Sequence, residues 1–226
     1  MTIFVPGMVK DNILSICSSL PECVQLVAVS KFHPASDILE AYGAGQRVFA
    51  ESRPQELFEK VNSGLPSDIE WHFIGHLQTN KLRMVLPYVT LVHSVDSRHL
   101  LDEIDKWGRA NGKVSDVLLE LHIGAETTKQ GFHEEEILDV LFDAEKFAAV
   151  RFRGLMGMAS HTDDESVIDA DFERIDSFMA YLADTFPELQ DFNQLSIGMS
   201  SDWHIALRHG STMVRIGTSI FGERNR

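Results

Sequence analysis

Apolar positions along this chain recur with two spacings, one typical of strands and the other of helices. Short apolar runs predict strands at 25–31, 47–51, 71–76, 90–95, 116–123, 152–159, 194–199 and 214–221. Segments with helical spacing predict helices at 8–20, 35–42, 54–62, 80–86, 98–111, 134–147, 163–186 and 202–208. Several strands are apolar on both faces, which is typical of a parallel sheet covered by helices. Eight such strands favour a closed (β/α)8 TIM barrel of the α/β class over an open doubly wound sheet.

The length and the even composition predict one domain. The 226 residues contain no linker, low-complexity tract or charge block that would mark a boundary. Single α/β barrels often have about 200–250 residues. We therefore expect one barrel domain over 1–226, with an additional N-terminal helix at about 8–20.

The charge excludes several classes of partner. The formal net charge is -14, and no local run of lysines or arginines stands out. Because phosphate backbones and anionic membranes attract basic surfaces, we expect neither nucleic acid nor membrane as a partner. The first 20 residues lack the pattern of a signal peptide, and no apolar stretch approaches the ~20 residues of a membrane span. With only two cysteines, Cys17 and Cys23, the chain predicts a reduced, cytoplasmic protein.

Lys31 is the first candidate for chemistry. Val27, Val29 and Lys31 alternate, so they share one face of the first predicted strand. A turn containing Pro34 follows at once, which places Lys31 at the carboxyl end of the strand, where α/β sheets bind ligands. The strand alone leaves two interpretations, a surface residue that caps the strand or a nucleophilic amine in a pocket.

The last two βα units predict a phosphate site. Ser200, Ser201 and Asp202 stand between a strand and the start of a helix, and Gly217 and Thr218 end the next strand. Helix N-termini offer unpaired N–H groups, and TIM barrels frequently bind phosphate after strands seven and eight. Capping of a helix by the serines is the alternative, and the glycine of the neighbouring unit makes phosphate binding the better hypothesis.

Arg215 is a charge in the last predicted strand, where an unpartnered guanidinium is costly to bury. It either forms a salt bridge with a buried carboxylate, such as Glu51 or Asp96, or faces a ligand at the barrel mouth. The first and eighth strands of a closed barrel are neighbours, so Lys31 is predicted to stand beside Arg215. A nearby cation makes a lysine easier to deprotonate.

A deprotonated amine beside a phosphate site suits a Schiff base with a phosphorylated aldehyde. A sugar phosphate, as in an aldolase, and pyridoxal phosphate (PLP) both fit this description. The residues and their spacing do not choose between the two aldehydes.

Long segments of the chain resemble the pyridoxal phosphate homeostasis proteins, which act on vitamin B6. These segments are Leu26–Lys31, Trp71–Lys81, His93–Asp96, Leu195–Asp202 and Gly210–Gly222. They are distributed over nearly the whole chain. The resemblance implies a barrel like the N-terminal domain of alanine racemase, a fold-type III PLP protein. It also implies PLP as cofactor, bound to Lys31 as a Schiff base.

The same resemblance implies roles for the other candidate residues. Arg215 would face the pyridine nitrogen, and the phosphate would be surrounded by Ser200, Ser201, Gly217 and Thr218. Met156 and His76 match family positions that line the pocket. In many members an asparagine and a tyrosine follow the glutamate at the end of the second strand, where this chain has Ser52 and Arg53. Ser52 is shorter than asparagine, and Arg53 could reach in from the next helix.

Two functions from different classes remain, a racemase-like enzyme acting on amino acids and a PLP carrier without turnover. Related racemases supply a second proton donor as a tyrosine from a separate β domain, and this chain ends at Arg226, just after the last predicted strand. Its tyrosines, Tyr42, Tyr88 and Tyr181, fall in predicted helices or connections. We therefore expect a monomeric carrier with no catalytic residue and with PLP-dependent apo-enzymes as transient acceptors.

The histidines predict no metal site. His72 and His76 are four residues apart, which on a strand is about 13 Å and too far to chelate one ion. His204 and His209 have no obvious third ligand. The loop at 126–131, which contains Lys129, is predicted to be a charged segment beside the mouth.

Overall fold

The computed structural model describes residues 9–124 and 130–223, and it confirms the predicted barrel. Eight parallel strands close in sequence order, β1 next to β8. The strands are β1 Gln25–Val29, β2 Val48–Glu51, β3 Glu70–Phe73, β4 Val89–Val95, β5 Ser115–Glu120, β6 Val150–Met156, β7 Gln194–Met199 and β8 Met213–Ile216.

Helices cover the outside of the barrel. They are α1 Val9–Ser19, α2 Ala35–Gly43, α3 Pro54–Val61, α4 Leu82–Val85, α5 Arg98–Asn111, α6 Glu134–Phe142, α7 Glu165–Thr185, α8 Trp203–Ala206 and α9 Thr218–Phe221. The predicted ends of α5 are confirmed, because the Ser97 hydroxyl accepts a bond from the Leu100 N–H at 3.3 Å and Gly112 has a φ of 63°. Among the described residues, no helix combines the length and the apolar character that a membrane crossing requires.

Alternation along the strands creates two separate cores. The small interior core consists of Val27, Val29, Val48, Ala50, Leu91, Leu118, Met156 and Met213. The larger core lies between the outer face of the barrel and the helices and includes Ala28, Phe49 and Phe73. Even and odd positions of one strand therefore face different environments. This parity decides which polar residues reach the inside of the barrel.

Several predicted strands extend too far toward their carboxyl ends. The eighth ends at Ile216 rather than 221, because the N–H groups of Ile220 and Phe221 turn back to the Gly217 carbonyl at 2.8 and 2.9 Å and form α9. The third ends at Phe73, so His76 lies beyond the strand on which it was predicted. The fifth and sixth end at 120 and 156. The excess residues follow the strands at the barrel mouth, where those of the eighth strand form α9.

Candidate functional site

The carboxyl ends of the strands form the mouth of the barrel, and Lys31 lies there, two residues beyond β1. Val27 and Val29 belong to the interior core, and Lys31 continues their alternation in sequence. Its side chain is partly buried. The predicted place of Lys31 at the end of β1 is therefore confirmed.

A charged cluster, here called the outer network, supports this end of β1 from the helix side. It consists of Ser30, Glu51, Glu56 and Lys60. One Glu51 oxygen, Oε1, accepts bonds from the Ser30 hydroxyl at 2.6 Å and from Lys60 Nζ at 2.7 Å. The other oxygen, Oε2, is buried without a hydrogen-bond partner. Burial raises the pKa of Glu51 to about 7, although Lys60 and the Ser30 hydroxyl pull it down.

The outer network corrects one proposed partner of Arg215. Glu51 alternates with Val48 and Ala50 of the interior core, so its side chain lies on the opposite face of the sheet. The second suggested partner, Asp96, contacts His76 Nδ1 at 2.9 Å. Within the described ranges, Arg215 forms an ion pair with neither carboxylate.

Arg215 lies inside the barrel with a side chain that neutral oxygens hold in place. One guanidinium nitrogen, Nη1, donates to the Ser196 carbonyl and hydroxyl, both at 2.6 Å, and Nη2 donates to the Gly157 carbonyl at 2.9 Å. Only 4% of Arg215 is exposed. Burial lowers its pKa to about 10, against the attraction of Asp202 and Glu120. Arg215 therefore remains a cation at neutral pH.

A chain of hydrogen bonds continues from Arg215 across the barrel and forms the inner network of His72, His93, Ser196 and Arg215. The Ser196 hydroxyl lies 2.9 Å from His93 Nδ1, and His93 Nε2 lies 2.9 Å from His72 Nδ1. Arginine can only donate, so the arrangement that satisfies the Ser196 proton directs it to His93. His93 then donates through Nε2 to His72.

Burial keeps both histidines of the inner network neutral. It lowers the pKa of His72 to about 4 and that of His93 well below its usual range. His72 and Arg215 lower the pKa of His93 further. The inner network therefore carries its single positive charge on Arg215.

β1 and β8 pair as predicted, but their register does not bring Lys31 beside Arg215. Arg215 is opposite Val27, and Ile216 is opposite Ala28. Lys31 lies four residues past Val27, or about 13 Å for an extended chain. Strand adjacency alone therefore does not place the two cations side by side.

The loops after β7 and β8 meet as predicted. The Ser200 hydroxyl accepts hydrogen bonds from the Gly217 N–H at 3.3 Å and the Ser219 N–H at 3.4 Å. Ser200 therefore connects two βα units, and no bond from it caps α8. Ser201 and Thr218 are both exposed at the same loops. The hydroxyls and N–H groups of these loops are donors that suit an anion.

The remaining predicted site residues differ in exposure. Met156 is 1% exposed and ends β6 inside the barrel, whereas the side chain of His76 is 53% exposed above it. Ser52 directly follows β2 and is partly buried. The guanidinium carbon of Arg53 lies 4.4 Å from the centre of the Phe32 ring.

Sequence reasoning missed Glu120, a buried acid at the end of β5. It is 7% exposed and aligned with Met156 of β6. Burial, reinforced by the charge of Asp96, raises the pKa of Glu120 to about 7. Alternation with the interior residue Leu118 is the signal that could have identified it.

Two further predictions concern charged and metal-binding side chains. The segment 125–129, with Lys129, lies outside the described residues. Among the residues that the structure does describe, no three histidine, cysteine or acidic side chains form a group that could hold a metal ion.

Comparison with known proteins now places the chain in a family. The family model described as "Alanine racemase, N-terminal domain" matches residues 7–225. A pyridoxal phosphate homeostasis protein of Aquifex aeolicus is 37% identical over 207 residues, which cover 89% of this chain and 88% of that protein. This chain belongs to the pyridoxal phosphate homeostasis protein family.

Solved structures support the assignment to this family. PipY of Synechococcus elongatus, a structure with PLP bound, is 36% identical with a TM-score of 0.86 and covers 95% of this chain and 100% of PipY. An alanine racemase of Clostridium difficile has a TM-score of 0.76 at 16% identity, covering 99% of this chain and 58% of the racemase. The racemase shares the fold of this family.

Proposed function

We propose that this protein binds PLP as a Schiff base on Lys31 and acts in intracellular vitamin B6 homeostasis without catalytic turnover. The observation that carries the proposal is the meeting of the loops after β7 and β8 at the Ser200 hydroxyl, next to the strand that leads to Lys31. The family relationship to PipY, which was solved with PLP bound, supports the choice of ligand.

The described residues fit a phosphorylated pyridine aldehyde. While the Ser200 oxygen accepts two backbone N–H groups, its own proton can be donated to a phosphate oxygen. Ser201, Gly217 and Thr218 would add donors around the same anion. Arg215 would face the pyridine nitrogen, and Met156, His76 and Ser52 would line the pocket.

Lys31 would provide the covalent attachment. PLP supplies an aldehyde, with which an uncharged amine condenses to form a C=N bond and release one water. The outer network fixes the chain on both sides of Lys31, and α3 covers it from outside. Attachment by condensation is reversible, which suits a carrier that releases its cofactor to PLP-dependent apo-enzymes.

The positions of the tyrosines support a carrier rather than a racemase. The Tyr42 hydroxyl donates to Asp68 at the opposite end of the barrel from Lys31, and Tyr88 packs on Phe58 ahead of β4. Tyr181 lies on α7 and is 52% exposed. All three tyrosines of the chain are among the described residues, and none of these contacts is at the mouth.

Borohydride reduction followed by peptide mass mapping tests the attachment site. Hydride adds to the carbon of the C=N bond, so a reduced phosphopyridoxyl group should remain on the peptide that contains Lys31. The Lys31→Arg variant keeps the charge but should carry no label. Modification of another lysine, or of none, in the wild-type protein would refute the assignment.

Exchange of the α-proton of free amino acids separates the carrier from the racemase-like alternative. The carrier predicts exchange no faster with the protein than with free PLP. Rapid, stereospecific exchange that disappears in Lys31→Arg would favour the enzyme. A further assay, restoration of activity to a PLP-dependent apo-enzyme, measures release of the cofactor.

A further inference from the structure

The two peptide groups that flank Lys31 are held by an ion pair on α3. The Ser30 carbonyl, which precedes Lys31, accepts a hydrogen bond from Lys60 Nζ at 2.8 Å. The Phe32 N–H, which follows Lys31, donates to Glu56 Oε1 at 2.5 Å. Lys60 and Glu56 are one helical turn apart and contact each other at 2.7 Å.

This ion pair is anchored to the barrel and partly buried, because the side chain of Glu56 is 19% exposed. The side chain of Lys60 is 9% exposed and also binds Glu51 Oε1 at 2.7 Å. Glu51 belongs to β2 and holds the Ser30 hydroxyl on the neighbouring chain. Exposed i,i+4 pairs have small effects, but a partly buried pair with several partners fixes geometry more strongly.

The backbone at this point needs such support. Phe32 has a φ of 68°, and it is the one non-glycine residue with positive φ in the described part of the chain. Bulky side chains rarely adopt this left-handed conformation, which persists where surrounding contacts enforce it. The Glu56 carboxylate on the Phe32 N–H is one of those contacts.

We propose that Glu56 and Lys60 are positioning residues that hold the turn around Lys31, so that its amine is directed to the barrel mouth. The proposal rests on the proposed function, in which that amine attaches PLP. Without the two side chains, the Phe32 N–H loses the Glu56 carboxylate and the Ser30 carbonyl loses the Lys60 ammonium, although it keeps the His33 N–H at 3.1 Å. Phe32 can then leave the left-handed conformation more easily. The amine then samples more directions, and the covalent attachment weakens.

Amide hydrogen exchange in the protein without PLP tests the mechanical part. Glu56→Ala should speed exchange of the Phe32 amide by about tenfold or more, because a buried charge-assisted hydrogen bond is lost. Asp105→Ala is the matched control, because Asp105 pairs with Arg109 at i+4 and accepts the Ala149 N–H at the opposite end of the barrel. This control should speed exchange at Ala149 and leave Phe32 unchanged. Unchanged Phe32 exchange in Glu56→Ala would overturn the proposal.

Binding of two ligands tests the chemical part. PLP needs the Lys31 amine, whereas pyridoxine 5′-phosphate has an alcohol in place of the aldehyde and tests the phosphate loops alone. Glu56→Ala should weaken PLP binding by about tenfold and pyridoxine phosphate binding by no more than about twofold. Lys60→Arg should retain PLP binding. Equal weakening of both ligands, or no weakening of PLP, would contradict a positioning role.

A variant that removes Lys60 must also remove the charge of Glu51, because Lys60→Met alone leaves the fully buried Glu51 without its cation. The double variant Glu51→Gln/Lys60→Met restores neutrality and should show the same selective loss of PLP binding. Reduction of the wild-type protein separates the two hypotheses. If Lys31 carries no label, the proposed function fails, and Phe32 exchange still decides whether the ion pair holds the turn.

Discussion

The outer and inner networks lie on opposite faces of the barrel wall, and both remove polar groups from water. In the outer network, Lys60 is 2.7 Å from both Glu51 and Glu56, so the protein supplies both signs of charge. In the inner network, neutral oxygens hold Arg215, which has no carboxylate at ion-pair distance among the described residues. The positive charge outside is balanced locally, whereas the charge inside is not.

This difference separates a structural task from a binding task. A buried charge without a counter-ion is costly, and its persistence is a mark of functional sites. The outer network orders backbone around Lys31. The inner network holds one cation inside the barrel, which under the proposed function would meet an electron-rich atom of the ligand. The following experiments test this contrast, in order of decreasing expected effect.

Lys60→Met should cause the largest loss of stability. Without Lys60 the pKa of the fully buried Glu51 rises above about 7, so at pH 8 the folded protein must hold either an unpaired carboxylate or a carboxyl group that has taken up a proton. Either form should cost about 3–5 kcal/mol in the free energy of unfolding. At pH 5 the carboxyl group can take up a proton, so the loss should be smaller. Urea denaturation at both pH values measures the difference. A loss below about 1 kcal/mol at pH 8 would show that the outer network is not a balanced ion cluster.

The inner network should make the fold sensitive to acid. The folded pKa of His72 is about 4, below the ordinary histidine value of about 6.5. Below pH 6.5 the unfolded chain takes up a proton at His72 and the folded protein does not. Stability that is fully present above pH 6.5 is therefore lost as the pH falls toward about 4. The wild-type protein should therefore lose about 3 kcal/mol more than His72→Gln between pH 7 and pH 4. Parallel denaturation curves for the two proteins would contradict the buried neutral histidine.

Glu120→Gln should have the smallest effect on stability of the three changes, and it should stabilise the protein rather than destabilise it. The folded pKa of Glu120 is about 7, above the ordinary glutamate value of about 4.5, so its ionisation lowers stability as the pH rises from 4.5 to 7. The free energy of unfolding of the variant should exceed that of the wild-type protein by about 2 kcal/mol at pH 8 and by almost nothing at pH 4.5. The gain is limited because the glutamine amide also needs hydrogen-bond partners. Thermal unfolding at the two pH values gives the comparison. A gain that does not depend on pH would exclude titration of Glu120 as its cause.

The sequence predicted the barrel, the place of Lys31 after β1 and the meeting of the loops with Ser200 and Gly217. These features follow from local information, because strand and helix periods repeat along the chain and turn residues punctuate them. The error at β8 has a local cause as well. A short apolar run such as Ile220 and Phe221 fits a strand as well as a turn of helix. Hydrogen bonds from both N–H groups to the Gly217 carbonyl make this segment helical.

Other features depend on the tertiary structure. Strand order predicted that β1 and β8 are neighbours, but the stagger of the closed barrel sets the register that places Arg215 opposite Val27. The hydrogen bond between His93 and Ser196 joins residues 103 positions apart. By itself, the sequence determined the order of strands and helices and brought Lys31, Ser200 and Gly217 to the mouth, although it ended several strands too late. Only the closed barrel decided which of them touch, because contacts across its wall and interior depend on stagger and side-chain parity together.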